Sequence, residues 1–121
     1  MKALAQMHAC ETSLLHTDFK RHPELLELML ASDFYEISAA GRSDRNTVKQ
    51  WLLQKDPSSR WELSQFEVVE MTNEIRLVSY HALQREPNLS PSKGSMHTSV
   101  WSYSANVQCW QLRFHQASKI V

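Results

Sequence analysis

The strongest constraint on this chain is a change of hydrophobic period near residue 60. Beyond it, residues 61–69, 75–83, 96–103 and 107–115 alternate with the two-residue period of half-buried strands and are rich in β-branched and aromatic side chains. Their joints, Met71-Thr72-Asn73, a polar loop over residues 86–95, and Ala105-Asn106, are too short for crossovers, which predicts an antiparallel meander. The polar loop holds two of the four prolines and one of the two glycines, and is expected to be the least ordered segment.

Ahead of the boundary the period is helical. Leu4, Met7, Leu14 and Leu15 share one face of a helix over residues 3–15, with Glu11 and Thr12 on the remaining arc. Pro23 suits a first helical position, where its missing N–H costs nothing, and Leu25, Leu26, Leu28, Met29 and Leu30 follow as a second helix. Residues 34–38 read as a first strand that closes on a turn at Gly41. Asp44 can cap a third helix carrying Val48, Trp51 and Leu52 on one face, ended by Asp56-Pro57.

The expected fold is α+β: three N-terminal helices on one face of a strongly curved, mostly antiparallel sheet of about five strands. Such a sheet leaves a cone, closed at one end and open at the other. At 121 residues the chain has room for one such domain, here residues 1–121. Thirteen basic side chains balance 13 acidic ones, so no uniform field favours nucleic acid or an anionic membrane. Gln6, His8 and Glu11 interrupt any signal-peptide core, and no run approaches the roughly 18 apolar residues of a membrane span. A cytoplasmic location is therefore expected.

Two cysteines, Cys10 and Cys109, support neither a disulfide framework nor a zinc site and read as small buried hydrophobes. His81, His97 and His115 lack metal-ligand spacing, so no metal or other cofactor is expected. Two glycines cannot build a phosphate loop, and there is no serine-hydrolase elbow.

Glu36, flanked by Phe34, Tyr35 and Ile37, is a carboxylate in apolar surroundings, where desolvation favours general-base behaviour; an ion pair with Arg42 or Arg113 is the plainer reading. In the last strand Trp110, Leu112 and Phe114 alternate with Gln111, Arg113 and His115. If the aromatic face looks inward, Arg113 and His115 lie on the outer surface as interface residues. Pairing across Ala105-Asn106 then sets Ser99 or Thr98 near Arg113, and His97 near Phe114 or His115, depending on a one-residue register choice. Most of the aromatic side chains fill the core, but Tyr80, Trp101 and Tyr103 are candidates to line a pocket for a flat apolar ligand, with Glu36 or Ser99 as polar contact.

Four stretches carry a family resemblance: Glu11-Thr12-Ser13-Leu14-Leu15 with Arg21 downstream, Asp33-Phe34-Tyr35-Glu36-Ile37 with Gly41-Arg42, Ser99-Val100-Trp101, and Trp110-Gln111-Leu112-Arg113-Phe114-His115-Gln116. In this order the chain resembles the uncharacterised bacterial branch of the nuclear transport factor 2-like superfamily over roughly residues 10–117. That superfamily's cone-shaped fold is shared with ketosteroid isomerase, scytalone dehydratase and polyketide cyclases. It hosts enzymes, carriers, dimerisation modules and immunity proteins.

The resemblance implies a homodimer formed through the outer face of the sheet, with a small apolar ligand or a protein partner. The alternatives are an immunity-type inhibitor, or an isomerase, dehydratase or cyclase with Glu36 as base and Tyr80, Tyr103 or His115 as hydrogen-bond donor. Two departures stand out. No aspartate follows Asp56, so the protonated-aspartate half of a ketosteroid isomerase oxyanion site is not reproduced. Gln116 is followed by Ala117-Ser118 where the branch usually has Gly-Thr.

Overall fold

A computed structural model describes residues 2–85 and 92–121; most of the 86–95 loop lies outside the described residues. Helix α1 spans Lys2–His16 and α2 Pro23–Met29, with the proline at its start. The chain then passes straight into β1, Leu30–Ser38, because Leu30 already has extended dihedrals. A turn at Gly41, whose φ of 105° suits glycine, leads into β2, Gly41–Asp44. The Asp44 side chain accepts from the Thr47 amide at 2.9 Å and starts α3, Arg45–Gln54.

The meander follows as β3 (Arg60–Thr72), β4 (Ile75–Arg85), β5 (Ser95–Ser104) and β6 (Cys109–Lys119). The strand order is β2-β1-β6-β5-β4-β3 in one curled, unclosed sheet. Against its inner face α1 packs on β3, α3 on β1 and β2, and α2 on β6 and β1. Met7, Leu14, Phe19, Leu26, Phe34, Leu52, Val78, Tyr80, Trp101 and Leu112 form the buried core between the layers.

The α+β expectation is met in its coarse form and corrected in two respects. The sheet has six strands among the described residues rather than about five, because the four-residue β2 was too short to leave a periodic signal. It is mostly antiparallel as expected, with one parallel pair, β1 and β6. Connection length restricts only strands that follow one another, and these two are separated by most of the chain. Finally, β1 and β2 stand between α2 and α3, so the helices do not all precede the sheet.

Among the described residues four irregularities interrupt the strand pairing, one of them between Glu70 and Thr72 beside the β3–β4 turn. Gln65 and Phe66 together oppose Tyr80, with Gln65 at a φ of 52°. On β6, Arg113 is an extra residue between the pairs Trp101–Leu112 and Val100–Phe114. On β1 the register with β6 slips between Leu30 and Tyr35. The carbonyls of Leu30 and Ala31 freed there are met by the Arg45 guanidinium at 3.2 and 3.1 Å.

Candidate functional site

Curling of the sheet around the helices leaves a cavity of about 430 Å³ on the concave side. Its walls are mostly apolar, from Leu14, Leu15, Phe34, Val48, Leu52 and Leu112, and Trp51, exposed over 61% of its surface, and Trp61 also line it. Ser38, Ser43 and Thr47 line it too, and its titratable side chains fall into two groups.

The first centres on Glu11 in α1, which is 1% exposed. Its carboxylate accepts from the Tyr80 hydroxyl at 2.8 Å and from the Trp101 indole N–H at 2.7 Å, so three strongly buried polar groups satisfy one another. Burial, then the adjacent carboxylate, pushes the Tyr80 phenol above its ordinary range, which leaves it a committed hydrogen-bond donor. Its ring is held between those of Phe66 and His97, with centroids 5.5 and 5.1 Å away. Ser99, fully buried beside that phenol, makes no hydrogen bond of ordinary geometry among the described residues.

The second group is a chain. Glu36 Oε2 lies 3.0 Å from His115 Nδ1, His115 Nε2 lies 2.8 Å from His97 Nδ1, and His97 Nε2 lies 2.7 Å from Ser95 Oγ. With both rings neutral, every atom is satisfied when Ser95 donates to His97, His97 to His115, and His115 to Glu36. Burial, then His115 and His81, lowers His97 to about 4, so its ring is neutral near pH 7, as this set requires.

The side chains marked out by sequence are thus separated into distinct settings. Glu36, Tyr80 and His115 meet the cavity, while Trp101 and Ser99 sit in the core behind it. Tyr103 does not join them: it is 37% exposed and lines a separate open groove with Glu74, Ile75 and Arg113, which withdraws it from any shared site with Glu36. Arg113 pairs with Asp33 on the sheet's outer side, and Arg42 lies 3.9 Å over the Tyr35 ring, so neither is the partner of Glu36. His81 bonds to Ser64 Oγ and the Lys93 carbonyl.

His115 faces inward, not outward as strict alternation with Arg113 requires. The Arg113 bulge puts Arg113 and Phe114 consecutively on the outer side and returns His115 to the cavity. The same extra residue sets Ser99 opposite His115 and His97 opposite Ala117, which is neither of the expected registers. Glu11 was also misplaced by the sequence reading. It stands four residues after Met7 and three before Leu14, so the helical spacing itself puts it on the buried face.

No protein-family model matches the chain, and no curated protein does so either. Solved structures do. A protein of unknown function from Rhodospirillum rubrum superposes with a TM-score of 0.75 at 18% identity, with 98% of each chain covered. Another from Pseudomonas aeruginosa gives 0.72 at 14% identity over 97% of each chain. Both are described as nuclear transport factor 2-like. This chain has the nuclear transport factor 2-like fold. A CamKII hub homology domain from Chlamydomonas reinhardtii shares it, with a TM-score of 0.78 at 15% identity over 98% of this chain and 99% of that one. On this nuclear transport factor 2-like frame the cavity is the interior of the cone, and the Glu36–His115–His97 chain crosses from β1 through β6 to β5.

Among the described residues no helix is long and apolar enough to cross a membrane, and no group of three His, Cys, Asp or Glu side chains is placed to hold a metal ion.

Proposed function

We propose that the cone takes one compact, mostly apolar small molecule, and that the chain works as a homodimeric ligand-binding module. The observation that carries this is the pairing of an apolar cavity of about 430 Å³ with a polar pole at Glu36 and His115. Glu36 spends Oε2 on His115 and keeps Oε1 for a second contact. The dimer is supported by an outer sheet face on which Tyr35, Leu77, Val100 and Phe114 are only half covered and Ile37 is exposed. Two free thiols, Cys10 and Cys109, accord with a reducing, cytoplasmic setting.

Purified protein titrated with a panel of compact aromatic and alicyclic compounds should show saturable quenching of tryptophan fluorescence. Absence of binding throughout the panel would remove the reading. Light scattering should report twice the chain mass of 14.1 kDa, and a monomer at high concentration refutes the dimer.

A second reading is favoured by the hydrogen-bonded chain itself. A carboxylate that orients an imidazole, which in turn meets a neutral second imidazole, is an arrangement for moving a proton. Acid–base turnover of an enolisable ketone, abolished by Glu36→Gln with the fold intact, would establish it. Full retention of turnover in that variant removes Glu36 as base.

A further inference from the structure

We infer that the ligand of the cone is an amine: an apolar molecule bearing one ammonium group, held by the Glu36 carboxylate. This deepens the ligand-binding reading and rests on it. The starting observation is a charge imbalance inside the cavity. Two carboxyl side chains line it, Glu11 and Glu36, and no lysine or arginine does so among the described residues.

Six basic side chains on or beside the flanking elements are tied down elsewhere. Arg45 and Lys49 both pair with Glu27, and Lys55 donates to the Thr17 carbonyl at 2.7 Å. Arg42 lies over the Tyr35 ring, Arg113 pairs with Asp33, and Arg76 is held by Glu70 and the Thr72 carbonyl. Among the described residues the cone therefore brings a carboxyl pole and no lysine or arginine to the cavity.

The two carboxylates are not equivalent. Glu11 accepts from Tyr80 and Trp101 and is sealed from solvent, so it needs no ligand. Glu36 has one side-chain partner among the described residues, His115, and its side chain is 26% exposed. His115 Nδ1 occupies Oε2 alone, so Oε1 remains for a ligand, and His97 beyond His115 is neutral. An ammonium group brought to Glu36 meets the carboxylate in an apolar cavity where the attraction is less screened than in water. The aromatic side chains Phe34, Trp51 and Trp61 in the same wall add attraction wherever an ammonium group meets a ring face. A carboxylate or phosphate ligand would instead face two like charges with no basic side chain to receive it.

The test uses three compounds of one skeleton, phenethylamine, phenethyl alcohol and phenylacetate, titrated calorimetrically into the full chain at neutral pH. The expected order is amine first, with phenylacetate weaker by about tenfold or more, the scale of one charge-assisted contact. Glu36→Gln should remove most of the amine's advantage over phenethyl alcohol, and thermal melting checks that the variant is folded. Equal or tighter binding of the alcohol or phenylacetate by the unaltered protein overturns the amine inference and leaves the pocket standing. Failure of all three to bind overturns the pocket reading and this inference with it.

Discussion

Replacing Glu11 with alanine strands two buried donors, and the cost follows from the geometry. The Tyr80 hydroxyl and the Trp101 indole N–H both end on this carboxylate, and Glu11, Tyr80 and Trp101 are each no more than 2% exposed. A buried donor without an acceptor costs roughly 1–3 kcal/mol, so two give about 2–6 kcal/mol before any cavity contribution. Domains of this size have roughly 5–15 kcal/mol in total, so the substitution removes a large share of it.

The assay is urea unfolding followed by tryptophan fluorescence, run as a double-mutant cycle with Tyr80→Phe. Phenylalanine keeps the ring between Phe66 and His97 and deletes only the hydroxyl. Alone it should destabilise by about 1 kcal/mol. In the Glu11→Ala background it should be neutral or stabilising, because the hydroxyl is by then unpaired, which gives a coupling of at least about 1 kcal/mol. A loss below about 1 kcal/mol for Glu11→Ala, or additive effects across the cycle, would refute the claim that Glu11 organises the inner end of the cone.

Two further outcomes follow from the histidine chain and the bulge. His97 protonates near pH 4 in the folded chain, against an ordinary 6.5, so between these values the unfolded chain carries more protons. Stability should therefore fall as pH drops from 6.5 towards 4, by up to about 1.4 kcal/mol per pH unit, and His97→Gln should lose that part of the slope; parallel pH profiles for both proteins contradict it. Deletion of Arg113 removes only the extra residue of the β6 bulge, so Phe114 and His115 should keep their faces and the His115–Glu36 bond, seen in imidazole nitrogen NMR, should survive. Loss of that bond on deletion means the register is not set as described.

Much of the frame is legible from residue pattern. Pro23 and Asp44 stand where the helices α2 and α3 begin, and the alternation after residue 60 marks all four meander strands to within a few residues. The parallel β1–β6 pair is not legible, because strands far apart in sequence leave no local mark of their pairing. Nor is the facing of His115, which depends on a bulge at Arg113 that strict period two cannot register. Glu36 was singled out as a carboxylate among apolar neighbours and lines the cavity, but its partner was sought among arginines, since a histidine assigned to the outer face could not be considered. Glu11 was legible in spacing and obscured by its charge, because an isolated glutamate reads as solvent-facing unless Tyr80 and Trp101 are known to converge on it.

The most direct test of the central claim, that the cone is a binding site, is a methyl NMR titration of the chain with phenethylamine. Shift changes should concentrate on Leu14, Val48, Leu52, Leu112 and Ala117, which line the cavity from α1, α3 and β6. Shifts confined to Ile75 in the open groove or Val100 on the outer sheet face, with those five methyl signals unmoved, would contradict it.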